Sequence, residues 1–130
     1  GQDHRVLPEI ISKEPLSPAV REGDGRWFDL VRWTLFILID AEELGIDSRN
    51  VQRAMSDAQA SDTRLLLDVE GQVAKNLGID RDWVARVIGQ VGNYGEIYAR
   101  NLGDQSPLKV KRGFNALWND GGLLYAPPPR

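Results

Sequence analysis

Residues 24–45, which read DGRWFDLVRWTLFILIDAEELG, decide the fold of this chain. Asp24 is a residue type that accepts hydrogen bonds from the free N–H groups at the start of a helix. Gly45 can take the left-handed backbone conformation that ends one. Between them apolar residues recur at steps of three and four, which predicts an α-helix over residues 25–45. This apolar stripe consists of Trp27, Leu30, Val31, Thr34, Leu35, Leu38 and Ala41.

The middle of this helix is apolar on nearly every side. Four further apolar residues lie outside the stripe: Phe28, Phe36, Ile37 and Ile39. A helix of this kind needs cover on most of its surface, so we expect it to be the buried spine of a domain, roughly 30 Å long. We do not expect a membrane span, because the uncharged run over residues 33–39 is far shorter than the roughly 20 residues that a span requires.

The composition is that of one ordinary globular domain. The chain has 130 residues, of which 42% are hydrophobic and 27% charged. A net charge of −3 gives no electrostatic attraction to nucleic acid. The chain has no cysteine and a single histidine, His4, so we expect no metal and no cofactor. It starts GQDHR without a signal-peptide pattern, from which we expect a processed or truncated product.

Two short segments ahead of the spine helix are predicted to be β-strands, over residues 6–11 (VLPEII) and 16–21 (LSPAVR). Proline has no N–H group to donate to a sheet, so Pro8 and Pro18 make these edge or crossing strands. The residues between them form a predicted extended connector, because the residue before Pro15 avoids the helical region.

The rest of the chain is predicted to be helical. The motif Leu-Gly-Ile-Asp occurs at residues 44–47 and again at 77–80. In this motif glycine ends one helix, isoleucine folds back on it, and aspartate caps the next helix. Three short helices are predicted between the two motifs, over residues 49–58, 63–69 (capped by Asp62) and 72–77.

The second half of the chain carries one more long helical pattern. Its apolar spacing persists across Gly92 and Gly95, which predicts one helix over residues 81–102 with a bend near Gly92. A last short helix is predicted over residues 111–119, with Val110, Phe114, Leu117 and Trp118 facing inward. An extended proline-rich tail follows it.

One acidic residue, Glu96 in NYGEIY, invites a catalytic interpretation. A glycosidase needs a second carboxylate at a defined separation, and no partner can be identified. We favour a surface glutamate that pairs with Arg100 one helical turn later. Motifs of serine nucleophiles, phosphate-binding loops and calcium loops are absent. We therefore predict that there is no catalytic residue and that the protein is not an enzyme.

The four tryptophans and three tyrosines could form a stacking platform for sugars. Five of them lie on apolar helical stripes and are predicted to be core residues: Trp27, Trp83, Tyr94, Tyr98 and Trp118. Trp33 and Tyr125 lie off these stripes and are the candidates for contact with a partner. The small basic cluster of Lys109, Lys111 and Arg112 is predicted to be a solvated face.

Two runs resemble a known family. Residues 7–35, LPEIISKEPLSPAVREGDGRWFDLVRWTL, resemble the late region of the periplasmic solute-binding proteins that serve polar and general L-amino-acid ABC importers. Residues 91–103 and 106–130, VGNYGEIYARNLG and SPLKVKRGFNALWNDGGLLYAPPPR, resemble the carboxy-terminal extension of the general L-amino-acid subgroup. This second match is the specific one, because it combines in order Gly92, Asn93, Tyr94, Gly95, Arg112, Gly113, Asn115, Trp118, Gly121 and Gly122. The resemblance covers nearly the whole chain and is loose over residues 47–80.

The resemblance implies a fold class. The chain would be mainly α with a short β entry (α+β), as the carboxy-terminal part of a two-lobe α/β periplasmic-binding-protein fold of type II. Residues 1–24 would be hinge-crossing strands that return from the second lobe. Residues 25–130 would be the helical carboxy-terminal part of the first lobe with the family-specific extension. The hinge would consist of Ile11, Ser12, Lys13, Glu14 and Pro15.

The resemblance also implies a function, the capture of an L-amino acid in the periplasm and its delivery to an ABC permease in the membrane. The ligand clamp of the family, an arginine and an acidic residue, would lie upstream of Gly1, so we expect that this chain alone does not bind ligand. Two short strands do not make a stable sheet alone, so we expect them to pair with an upstream fragment or a second copy. The alternative is a self-standing helical interaction module that contacts a partner through Trp33 and Tyr125.

Overall fold

The computed structural model describes residues 7, 9, 11–12 and 15–129. Helices α3 to α6 contact α1, and α2 packs against α5. Within the described residues the only β-pairing is an isolated bridge between Leu117 and Leu124. The helices are α1 (Gly25–Glu43), α2 (Val51–Ser56), α3 (Ser61–Leu66), α4 (Gln72–Leu77), α5 (Trp83–Val91) and α6 (Tyr94–Asn101), followed by two 3₁₀ helices, Gly113–Asn115 and Trp118–Asp120.

Helix α1 forms where the sequence predicts it, but it is covered at one end only. The side chain of Asp24 accepts a hydrogen bond from the Trp27 N–H at 3.0 Å, as a helix cap does. The carboxy-terminal half is buried over residues 37–41. At the other end Trp27 is 51% exposed and Phe28 is 47% exposed. The prediction that this helix is covered on most of its surface is therefore wrong for its amino-terminal half in the described structure.

The strand predicted over residues 16–21 is not formed. These residues have no regular structure and are exposed except for the half-buried Val20. A strand needs a hydrogen-bonding neighbour, and among the described residues none lies beside this segment. Of the strand predicted over residues 6–11, only Leu7, Glu9 and Ile11 are described, and none of them is in a strand.

The repeated Leu-Gly-Ile-Asp motif ends two helices as predicted. Gly45 and Gly78 both have a φ of 66°. The N–H groups of Ile46 and Ile79 fold back onto carbonyl groups five residues earlier, at 2.8 and 3.0 Å. This is the geometry that closes a helix at a left-handed residue.

The three short helices occur in the predicted places, but their caps differ. Asp62 lies inside the first turn of α3 rather than ahead of it. Asp47 accepts hydrogen bonds from the N–H groups of Arg49 and Asn50 in the turn before α2 and does not cap that helix. The buried Asp68 accepts hydrogen bonds from the N–H groups of Val73 and Ala74 and caps α4, a role that we did not predict.

The predicted long helix over residues 81–102 is in fact two helices, α5 and α6. Gly92 has a φ of 79° and a ψ of −179°, which no helix contains. Asn93 then starts α6 with a capping box: its side chain accepts from the Glu96 N–H, and the Glu96 carboxylate accepts from the Asn93 N–H. The apolar spacing continues across the break because both helices pack on α1.

The helix predicted over residues 111–119 is also wrong. Two 3₁₀ turns replace it, separated by extended backbone at Ala116 and Leu117. Only Leu117 of the four predicted inward-facing residues is buried, because its bridge to Leu124 holds this part of the chain. Val110, Phe114 and Trp118 are about half exposed.

The hydrophobic core lies around the carboxy-terminal half of α1. Its largest fully buried side chains come from four helices and the loops beside them: Ile37, Val51, Leu66, Leu67, Val84 and Ile88. A second, smaller cluster joins Ile39 with Leu117 and Ala126. This cluster fixes the tail, residues 122–129, against α1.

Candidate functional site

An apolar cleft of about 540 Å³ runs along the uncovered half of α1. Every residue of the apolar stripe except Ala41 lines it. Helix α5 contributes the opposite wall, and Pro18 lies at one end. The lining residues are Pro18, Trp27, Leu30, Val31, Thr34, Leu35, Leu38, Ile79, Trp83, Arg86 and Val87.

The cleft offers almost no polar group. The Thr34 hydroxyl donates a hydrogen bond to the Leu30 carbonyl at 2.7 Å, within its own helix. The Arg86 guanidinium is paired with Asp80 and Asp82. A free amino acid carries two charges that a binding site must pair, so this cleft is unsuited to an amino acid. It has the character of a packing surface.

The predicted hinge residues are described only in part. Ile11, Ser12 and Pro15 are exposed and have no regular structure. Ile11 is 95% exposed and Leu16 is 92% exposed. Lys13 and Glu14 lie outside the described residues. The described hinge residues contribute nothing to the cleft.

Glu96 is a structural residue rather than a surface partner of Arg100. Its carboxylate accepts hydrogen bonds from the Ser48 hydroxyl at 2.6 Å and from the N–H groups of Ser48 and Asn93. Burial raises the pKa of Glu96, but these hydrogen bonds together outweigh it and hold the pKa below its ordinary value. Arg100 donates to the Val91 carbonyl instead. The predicted pair is therefore wrong, and Glu96 joins α6 to the turn before α2.

The basic cluster is only partly a solvated face. Arg112 forms two hydrogen bonds with the Glu42 carboxylate, at 2.8 and 3.1 Å. Its guanidinium also lies 5.5 and 5.0 Å from the ring centres of Tyr94 and Tyr98. Lys109 and Lys111 are both exposed. Arg112 therefore anchors the extension to α1, and the prediction of a solvated residue is wrong for it.

The aromatic residues divide differently from the prediction. Trp83 and Tyr98 are core residues, each 5% exposed. Tyr94 is half-buried, whereas Trp27 and Trp118 are about half exposed. Among the two candidates for partner contact, Tyr125 is 67% exposed. Trp33 is half-buried and packs edge-on against Phe36, with ring centres 5.8 Å apart.

Asp40 is a buried titratable group that the sequence did not reveal. It lies on α1 next to buried isoleucine and alanine residues and is 9% exposed. Burial raises its pKa to about 7, and repulsion from Glu43 adds to the shift. Within the part of the chain that the structure describes, its Oδ2 atom is covered and has no hydrogen-bond partner.

Two classes of site are not found in the described residues. No group of three or more acidic or histidine side chains there could hold a metal ion. No helix among them is long and apolar enough to cross a membrane.

Comparison with known proteins gives consistent relatives. No protein-family model matches the chain. It is 55% identical over 125 residues to the putative amino-acid ABC transporter-binding protein YhdW of Escherichia coli strain K12. It is 54% identical over 129 residues to the general L-amino acid-binding periplasmic protein AapJ of Rhizobium johnstonii. These matches cover 96% and 98% of the chain. Over nearly its whole length the chain is similar to part of the periplasmic binding proteins of amino-acid ABC transporters, as the sequence predicted.

A third relative and a solved structure support the same family. The glutamate/glutamine/aspartate/asparagine-binding protein BztA of Rhodobacter capsulatus is 47% identical over 125 residues. A solved ABC transporter periplasmic binding protein from Brucella ovis with glutathione bound superposes with a TM-score of 0.89 over 99% of the chain, at 52% identity. The fold-class prediction is confirmed: the described chain is mainly α and matches part of a periplasmic-binding-protein fold. These relatives are binding proteins, which confirms the prediction that the protein is not an enzyme.

The relatives of this family are much longer than the chain. The chain spans 37% to 38% of the length of these curated relatives and 40% of the solved structure.

Proposed function

We propose that this chain is the carboxy-terminal portion of a periplasmic receptor that captures an L-amino acid and delivers it to an ABC permease in the membrane. The single observation that carries this proposal is the uncovered apolar cleft on a chain that spans little more than a third of its relatives. A longer protein provides the cover that the cleft lacks. The names of the relatives indicate the ligand class.

The domain division follows from the same proposal. Residues 1–24 belong to the crossing between the two lobes, with Ile11, Ser12, Lys13, Glu14 and Pro15 as the hinge. Residues 25–130 belong to the first lobe. The exposed and irregular course of the described residues before α1 supports this division, since a crossing segment needs neighbours on both sides.

The cleft is covered by the preceding part of the same protein. Apart from the indole N–H groups of Trp27 and Trp83, the wall is apolar or internally paired, so the covering surface must itself be mainly apolar. The alternative is a second copy of this chain that covers the cleft. Light scattering separates the two: a monomer at low concentration that dimerises only weakly favours the first, and a stable dimer favours the second.

The chain alone does not bind ligand. The apolar cleft offers neither an unpaired arginine nor a carboxylate, and an amino acid would require both. Isothermal titration calorimetry with twenty L-amino acids tests this on the chain and on a longer protein that contains it. Binding to the longer protein alone is expected. Equal binding to both would contradict the proposal.

Glutathione belongs in the same titration. It occupies the solved relative from Brucella ovis, and it carries the amino-acid head group within a γ-glutamyl peptide. Sequence identity to that protein, 52%, lies within the 47% to 55% shared with the amino-acid-binding relatives, so both kinds of ligand are titrated.

Location in the periplasm is tested by osmotic-shock release of the longer protein from cells.

A further inference from the structure

A second cavity shares no lining residue with the apolar cleft and has a different chemistry. It has a volume of about 300 Å³ and lies between the end of α1, helix α3 and the tail. We call it the tail pocket. Its lining residues are Asp40, Glu43, Leu44, Asp62, Leu65, Leu66, Trp118, Tyr125, Ala126, Pro128 and Pro129.

The charged residues of the tail pocket are all acidic. Asp40 and Glu43 come from α1, and Asp62 comes from α3. None of these three carboxylates forms an ion pair with a basic residue in the described chain. Among the described residues of its wall, the only other titratable group is the Tyr125 phenol. The pocket therefore has a negative potential that nothing in its described wall neutralises.

Asp40 is the feature that points to a ligand. It is 9% exposed and lines the pocket, and its Oδ2 atom has no hydrogen-bond partner among the described residues. A buried carboxylate without a partner is costly. A cationic group that enters the pocket would offset the charge of this carboxylate.

The pocket fits an organic cation better than a metal ion. The three carboxylates do not form a group of metal ligands in the described structure. Instead the wall carries two exposed aromatic rings, Trp118 and Tyr125, set edge to face with centres 6.4 Å apart. Aromatic faces attract guanidinium and ammonium groups. Prolines and leucines complete a wall that suits an aliphatic stem.

We propose that the tail pocket binds a guanidinium or alkylammonium group, with Asp40 as its principal anion and the Trp118 and Tyr125 rings beside it. This inference stands apart from the proposed transport function, because none of its residues lines the apolar cleft. The cation belongs either to a small molecule or to an arginine or lysine of a partner protein.

Cation binding is coupled to the protonation of Asp40. Burial and Glu43 raise the pKa of Asp40 to about 7, so the carboxyl is neutral at pH 5.5 to 6, as its pKa predicts. A bound cation favours the charged form. Affinity therefore rises between about pH 6 and pH 8. The other acidic side chains that face this pocket are Glu43 from α1 and Asp62 from α3, beside the Tyr125 phenol of the tail.

The test is an NMR titration of the full chain with N-acetyl-L-arginine amide at pH 8. N-acetyl-L-citrulline amide is the control, because it has the same shape without the charge. We expect saturable shifts at the Trp118 indole and at the amides of residues 40–43 with the arginine compound alone. Equal shifts with both compounds, or none, would overturn the proposal.

Substitutions locate the site. Asp40→Asn should weaken binding about tenfold or more, because it removes the charge-assisted hydrogen bond. It should also abolish the rise of affinity with pH. Asp57→Asn removes an exposed carboxylate elsewhere and should change nothing. Equal losses in the two variants would contradict a specific site. If Asp40→Asn proves unfolded, Glu43→Gln serves in its place, with the expectation of a smaller loss.

Two further arms decide the source of the cation. The first arm compares the peptide acetyl-Ala-Gly-Arg-Gly-Ala-amide with N-acetyl-L-arginine amide. Tighter binding of the peptide supports a partner protein, whereas equal affinity supports a small molecule. The Arg130→Ala variant addresses the residue that follows Pro129. Unchanged binding supports the proposal. Binding that appears only in Arg130→Ala would overturn it, because the chain's own arginine would then be the occupant.

Discussion

Arg112 and Glu42 are 70 positions apart in the sequence and form a two-pronged ion pair, with N–O distances of 2.8 and 3.1 Å. The Arg112 side chain is 26% exposed and that of Glu42 is 18% exposed. The same guanidinium donates to the Asn115 carbonyl and lies beside Tyr94 and Tyr98. One side chain therefore joins α1, α6 and the extension.

The first prediction concerns this pair. Arg112→Lys should lower the free energy of unfolding by about 2 kcal/mol, because lysine keeps the charge but loses the two-pronged geometry and the contact with the rings. Urea denaturation measures it. Arg49→Lys is the matched control: Arg49 pairs with Asp47, but its side chain is 87% exposed. That change should cost less than about 0.5 kcal/mol. Similar losses in both variants would show that the Arg112 pair contributes no more than a surface one.

The second prediction concerns the start of α6. Asn93→Ala should destabilise the chain by about 1 to 2 kcal/mol, since it removes the cap of the helix and the hydrogen bond from the Asn93 amide to the Ile46 carbonyl. Asn101→Ala is the control, because Asn101 is exposed and donates only to the Ile97 carbonyl within its own helix. Thermal unfolding followed by circular dichroism compares the two. A loss in Asn101→Ala as large as that in Asn93→Ala would count against the capping box.

The third prediction is a dependence of stability on pH. The folded state raises the pKa of Asp40 from 3.8 to about 7, through burial first and Glu43 second. Between these two values the folded chain holds a proton that the unfolded chain releases. Stability from this group is therefore complete below about pH 4 and is lost as the pH rises through 7.

Asp40→Asn cannot ionise, so its free energy of unfolding should fall less between pH 4.5 and pH 8 than that of the original chain. The expected difference is about 2 kcal/mol, within the roughly 4 kcal/mol that three pKa units represent. Urea titrations at the two pH values measure it. Glu96 has the opposite effect: its lowered pKa contributes stability that is lost as the pH falls. This contribution is the same in both proteins and cancels in the comparison. Parallel pH profiles would refute the role of Asp40.

The fourth prediction separates the chain from a longer protein that contains it. Val31→Lys places a charge on the wall of the apolar cleft, where Val31 is half-buried. In the chain alone the change should cost less than about 0.5 kcal/mol, since the cleft is open to water. In the longer protein it should cost about 2 kcal/mol or more, because the charge would be buried.

Phe28→Lys is the control for the cleft. Phe28 lies on the same helix and is 47% exposed, but it does not line the cleft. It should cost little in both proteins if the cover lies over the cleft alone. Equal tolerance of Val31→Lys in the longer protein would show that the cleft stays open there.

Local signals predicted the parts of the fold that depend on neighbouring residues. Asp24, Gly45 and Gly78 mark helix ends by their own hydrogen bonds and backbone angles, and the structure has them in those roles. The break between α5 and α6 could also have been predicted from neighbouring residues. Asn93 and Glu96 have the spacing of a capping box, which outweighs a continuous apolar stripe when a glycine precedes it.

Contacts between distant residues could not be predicted in this way. Nothing near Arg112 in the sequence identifies Glu42 as its partner, and nothing near Asp40 shows that the tail will bury it. The apolar stripe on α1 predicted correctly which face of the helix is apolar, but it did not predict which part of that face is covered. Periodicity reports which side of a helix is apolar, whereas the presence of a neighbour depends on the rest of the protein.

Because α1 is covered unequally, its amide hydrogens should exchange with deuterium at two different rates. Around Ile37 the amide hydrogens lie inside the core, so their exchange with deuterium requires opening of the whole domain. Around Trp27 the helix can fray from its capped end without disturbing that core. Mass spectrometry after a short deuterium pulse should therefore divide this single helix into a slow half and a fast half, and the fast half should slow when the cleft is occupied.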